Sequence, residues 1–132
     1  QTETFTITSG TFCIQMGKET KQLTAGDICT IDKGIPHKWW NPSTTEEATM
    51  VVQFEPALNT ETFLEQFFGL GNTNKTKPDG TPSFLQIMAM SNTYQIYIAG
   101  PPLLIQICMG FIIGGVARWM GYKKYYKEFS EH

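Results

Sequence analysis

The chain has 132 residues, a net charge of −2 and 41% hydrophobic residues, which suits one domain, or one small domain with an appendage. At that length it can bury a core, hiding about two thirds of its unfolded surface. No face is evidently basic, so nucleic acid is excluded as a natural partner. Cysteines number three, Cys13, Cys29 and Cys108, an odd count without a C-x-x-C pair, so neither a disulfide scaffold nor a structural zinc site is supported. Reduced thiols are the expectation, with a Cys13–Cys29 bridge between strands left open.

Residues 3 to 9 alternate, with Glu3, Phe5 and Ile7 on one face and Thr4, Thr6 and Thr8 on the other, as in a half-buried strand. A carboxylate on the apolar face needs a partner or a route to water, because burying a lone charge is costly. Ser9-Gly10 turns the chain. Thr11 to Met16 alternates again, Gly17-Lys18 is a hairpin turn, and Thr20 to Leu23 returns. Ala25-Gly26-Asp27 then leads into a stretch from Gly26 to Asn41, with a turn at Asp32-Lys33-Gly34 and a new strand behind Pro36. Period two puts His37, Trp39 and Asn41 on one face and Lys38 and Trp40 on the other. The charged Lys38 marks the wet face. A His beside an indole on the inner face is a metal ligand, a general base or a satisfied core residue; the residue alone leaves all three open. Pro42 to Glu47 reads as a polar loop, Ala48 to Phe54 as an apolar strand, and Pro56 closes the sheet region.

From Leu58 the period becomes helical. Asn59 is placed as an N-cap, Leu58 and Phe63 as a hydrophobic staple, and Phe63, Leu64, Phe67 and Phe68 as one stripe that Gly69 or Gly71 ends. Pro82 is placed at the first position of a second helix running to about Met90, with Phe84, Ile87 and Met88 on its apolar face. Tyr94 to Ile98 fits helix or strand. Gly100-Pro101-Pro102 breaks the chain, and Leu103 to Tyr122 follows as a long apolar helix. Gly110 and Gly114 form a small-xxx-small pair there, and aromatics and lysines cluster behind it. Gln106, Arg118 and Gly114-Gly115 interrupt it, so burial in protein and membrane contact through 103–122 both stay open.

The central stretch resembles the second motif of the cupin superfamily: Gly, five residues, Pro, one residue, Gly, two residues, His, three residues, Asn. Gly26, Gly34, His37 and Asn41 fall on it in register, and Asp32 stands at the usual Pro. The family's first motif ends in Glu, six residues, Gly, which Glu3 and Gly10 reproduce. That motif opens with His-x-His, its second His four positions before the Glu; counting back from Glu3 runs off the start of the chain. The chain is therefore expected to begin in mid-strand, without two of the usual ligands.

The resemblance implies a β-rich α+β fold. A cupin double-stranded β-helix, a jelly-roll barrel incomplete at its N-terminus, is expected over residues 1–57, with a helical extension over 58–132. The tail is more loosely similar to the C-terminal helical extension of some small bacterial cupins of unassigned activity. In the family three His and one Glu typically hold Fe, Mn, Ni, Cu or Zn, which makes Glu3 and His37 the metal ligands here. With two ligands absent, occupancy by a divalent metal is expected to be weak or nil. The inner faces of such a barrel make a pocket, expected to be lined by Phe5, Ile7, Phe12, Ile14, Trp39, Asn41, Val52 and Phe54.

Three functions fit. One is a metal-dependent cupin acting on, or sensing, a small organic molecule. The second is a non-catalytic module that stacks its ligand on Trp39 while His37 only hydrogen-bonds. The third is a membrane-associated protein whose tail matters more than its pocket. No nucleophile triad, P-loop or dinucleotide fingerprint occurs. A sheet beginning at Glu3 would expose an edge at residues 3 to 9, or an apolar face carrying Phe5 and Ile7. The Gly110/Gly114 surface would offer a second contact. A two-fold homodimer is the expectation.

Overall fold

A computed structural model describes residues 1–130. The backbone divides into two compact units, Gln1–Leu58 and a second that begins at Asn59.

The first unit holds six strands: β1 (Thr2–Ser9), β2 (Thr11–Met16), β3 (Glu19–Thr24), β4 (Ile28–Ile31), β5 (His37–Trp40) and β6 (Thr49–Glu55). They form two antiparallel sheets, ordered β4-β1-β6 and β3-β2-β5. Only β2 and β3 are linked as a hairpin, through Gly17 at φ 58°; each other link carries the chain to the opposite sheet. Strand alternation decides what lies between the sheets. Phe5 faces Cys29 and Val52 across its neighbours, and Ile14 lies between Lys21 and Trp39. Phe5, Ile14, Cys29 and Ile31 form the buried core, with Met16, Leu23, Met50 and Val52 packed on it. Both sheets contribute, so the core sits between them. Together with the helices described below, this is a β-rich α+β, cupin-like architecture.

The structure corrects the expectation of an open edge at residues 3 to 9. β1 is the central strand of its sheet, paired on both sides, and Phe5 and Ile7 are buried. Its partners β4 and β6 lie far along the chain, which is why local pattern missed them. The cysteines are free thiols; Cys29 is in the core, and Cys13 pairs with Trp40 and Gln22 on the opposite face of its sheet.

The second unit contains α1 (Thr60–Asn72), α2 (Phe84–Tyr94), α3 (Leu103–Trp119) and a single 3-10 turn at Lys127–Phe129. Several expected boundaries shift. Leu58 takes φ 48° and is 61% exposed, so no staple forms, and the Asn59 side chain makes no capping bond. α1 runs through Gly69 and Gly71. At Gly69 a Cβ would collide with the Phe129 ring, so this glycine makes room for the tail rather than ending the helix. Phe68 is exposed and falls outside the apolar stripe. Ser83, not Pro82, starts α2: its Oγ accepts from the Gln86 N–H at 3.3 Å. Met88 is buried on α2, but Phe84 is exposed. The helix stops at Tyr94 because Gln95 turns left-handed, at φ 55°.

α3 ends at Trp119 after 17 residues, and among the described residues no helix is long and apolar enough to cross a membrane. Its small residues are used inside the chain. A Cβ at Gly110 would meet the Asn92 side chain, and one at Gly114 the Met88 carbonyl, both on α2. The surface expected to bring two copies together is therefore filled by α2.

Three buried glutamines tie loops to helices. Gln66 donates to the Tyr126 carbonyl at 3.0 Å and accepts its N–H at 2.6 Å. Gln86 donates to the Lys123 carbonyl at 2.7 Å and accepts the Tyr126 hydroxyl at 2.8 Å. Gln106 holds the segment before α3 through Ile98 and Pro101. Each amide pairs with backbone groups of a segment outside its own helix.

Candidate functional site

Glu3 sits on the inward face of β1, opposite Ile31 on one side and Phe54 on the other. His37 opens β5, opposite Met16. The turn before it is closed by the Ile35 N–H donating to the Asp32 carbonyl at 3.2 Å, with Gly34 at φ 83°. Beyond it the Gly17 N–H donates to the Pro36 carbonyl at 3.1 Å, tying the hairpin to the start of β5. Facing sheets thus bring a carboxylate and an imidazole together, with Glu3 Oε2 3.3 Å from His37 Nε2.

The other ring nitrogen fixes the chemistry of this pair. His37 Nδ1 lies 2.9 Å from the Ile35 carbonyl, which can only accept, so Nδ1 carries a proton. A neutral ring then turns the Nε2 lone pair toward a carboxylate oxygen. Two acceptors at that distance call for a cation between them, either a proton, giving an imidazolium–carboxylate pair, or a metal ion. For tetrahedral bonds of about 2.0–2.2 Å, donors sharing one ion stand roughly 3.3–3.6 Å apart, and this pair meets that spacing. The Phe5 ring meets the imidazole edge-on, with centroids 6.1 Å apart. Both side chains keep about a fifth of their surface in contact with water, 20% for His37 and 22% for Glu3.

The number of ligands is the limit. Among the described residues no group of three or more His, Cys, Asp and Glu could hold a metal ion. Glu3 and His37 fit an ion by spacing and tautomer, yet supply two bonds where catalytic zinc sites use three.

The remaining candidates are dispersed. Phe5, Ile7 and Ile14 are fully buried and serve as packing. Phe12 is buried and meets Trp39 edge-to-face at 6.0 Å, while Trp39 itself is 48% exposed. Val52 packs against the core, and Phe54 is half-buried beside Glu3. Asn41 lies beyond β5 and shapes the next loop: its Nδ2 donates to the Glu46 carbonyl at 2.8 Å and its Oδ1 accepts the Ser43 N–H at 2.8 Å. Sequence reasoning missed the Ile35 carbonyl. A backbone oxygen carries no residue signal beyond the tight turn that aims it.

Residues 1–54 match the family model of the cupin domain (Cupin_2). No curated protein and no solved structure matches the chain. The matched span holds all of β1 to β5 and β6 up to Phe54, with Glu3 and His37 inside it, so the first unit of the chain is a cupin domain.

Proposed function

We propose that the cupin unit is a small-molecule-binding module, with Glu3 and His37 as its polar pole and Trp39 as an apolar platform beside it. Its sheets would form part of a jelly-roll barrel. The observation that carries this reading is the meeting of His37 Nε2 and Glu3 Oε2 at 3.3 Å with Nδ1 already committed to a carbonyl. A divalent ion from the family's range, Fe, Mn, Ni, Cu or Zn, would be held by these two side chains. It would leave open positions where an oxygen or nitrogen of a small organic molecule binds, and would act as a Lewis acid toward it. With two protein ligands such an ion exchanges readily. Fold alone does not select a reaction, and none is assigned. Metal analysis after equilibrium dialysis against each of the five ions tests the reading. Uptake that depends on Glu3 and His37 and is reversed by chelator supports it, and identical uptake by the Glu3→Gln variant refutes it.

A second reading concerns assembly. α3 turns Leu104, Phe111, Ile112 and Trp119 outward, at 73%, 66%, 71% and 88% exposure. Apolar surface of this kind marks interaction sites. We propose that two copies pair through it as a two-fold dimer, the commonest closed symmetry, with contact to a lipid surface as the competing outcome.

A further inference from the structure

The helical unit contains a cavity of about 180 Å³, and neither Glu3 nor His37 is among the residues that line it. Its walls come from α1, α2 and the segment between α2 and α3, with Phe63, Phe67, Ile87, Met88, Ile96 and Ile98 among them. Three residues with polar groups, Ser91, Tyr97 and Gln106, also reach it, and the Tyr97 hydroxyl donates to Asn92 Oδ1 at 3.5 Å. The other two are spent on the chain as well. The Ser91 hydroxyl donates to the Met88 carbonyl at 3.3 Å. Gln106 Nε2 donates to the carbonyls of Ile98 and Pro101 at 2.9 and 2.7 Å, and its Oε1 accepts the Ile98 N–H at 2.8 Å. That glutamine is what holds the loop wall in place. Gln95 at φ 55° and Gly100 at φ 120° bend the loop at either end, and neither has a side chain in the cavity.

A space so lined offers water few partners. An enclosed apolar cavity of about 150 Å³ takes up benzene, and this one, which opens to solvent, has room for a ring of the same size. The aromatic pair Phe63–Phe67, with centroids 5.7 Å apart, and the thioethers of Met88 and Met90 suit the edge and face of a ring. We propose that this cavity is a binding site for a small, uncharged, single-ring aromatic molecule, with Gln106 as the positioning residue of its wall. A carboxylate or ammonium group on the ligand would be excluded, because no counter-charge lines the space.

Toluene and benzoate, alike in size and opposite in charge character, test this on the full chain carrying ¹³C-methyl methionine. The chain's six methionines include Met88 and Met90, which line the cavity, and Met16, Met50 and Met120, which do not. The expected result is saturable shifts at Met88 and Met90 with toluene and none with benzoate, the other methyls staying in place. Ser91→Leu, which fills the space, should abolish saturation, and Gln106→Met should weaken binding several-fold. Absence of saturation at Met88 and Met90, equal binding of benzoate, or unchanged binding in a folded Ser91→Leu protein would each overturn the proposal. Should that variant not fold, the toluene–benzoate comparison on the unaltered chain still decides.

Discussion

A single carbonyl oxygen, that of Ile35, determines which nitrogen of the His37 ring Glu3 meets. Period two was enough to place Glu3 and His37 on inward faces, because both lie in short strands where alternation is strict. Their neighbours were harder to sort. Phe5 and Trp39 read alike in the sequence, as apolar residues on an inner face, yet Phe5 is fully buried and Trp39 is 48% exposed. Strand position decides this: Phe5 is in a central strand and Trp39 in an edge strand. Phe5→Ala should therefore cost about 3–5 kcal/mol, the range for a buried aromatic. Trp39→Ala should cost well under that and leave the unit folded, with its loss felt in ligand binding. Chemical denaturation of the two variants checks the contrast, and equal destabilisation would contradict it.

At the level of elements, helical period revealed three helices and misplaced most of their ends. The reasons are specific: Gly69 serves close approach to Phe129, and Ser83 caps α2 one residue beyond the proline that signalled it. The α2–α3 contact gives a sharp test in neighbouring glycines. A methyl at Gly114 would strike the Met88 backbone, so Gly114→Ala should destabilise the helical unit by about 1–3 kcal/mol. A methyl at Gly115 would meet only the Arg118 guanidinium, at 3.9 Å, so Gly115→Ala should stabilise it by about 0.5–1 kcal/mol. Thermal unfolding of the pair reads both signs.

Tyr94, at the end of α2, adds a pH dependence. Burial pushes its phenol above the ordinary value, and repulsion from Tyr125 and Glu65 adds to it. The neutral form is thus favoured by folding. Its contribution is complete below the unfolded value, about 10, and is lost as pH rises through the higher folded one. The helical unit should weaken on strong alkalinisation, and Tyr94→Phe should flatten that limb of the stability–pH curve. An unchanged limb would refute the assignment.

For the whole molecule, the sequence carried the family but not the sheet order. The spacing from Gly26 to Asn41 is local, whereas the central place of β1 depends on pairing with β4 and β6 across long stretches of chain. That difference removes the open edge as a route to assembly, and α2 removes the glycine pair. The outward face of α3, with Leu104, Phe111, Ile112 and Trp119 exposed, is the surface proposed for pairing. Light scattering after size exclusion should give a dimer that mild detergent disperses; a compact monomer in both conditions would contradict the pairing, and binding to vesicles without dimerisation would assign the face to lipid. The central claim is that Glu3 and His37 share a cation, and it is tested most directly by ¹⁵N imidazole spectroscopy of the chain titrated with zinc. The expected result is a saturable shift of the His37 Nε2 signal, Nδ1 remaining protonated, reversed by chelator and lost in Glu3→Gln. A His37 ring that zinc leaves unmoved, or one whose Nε2 carries the proton while Nδ1 is free, would contradict it.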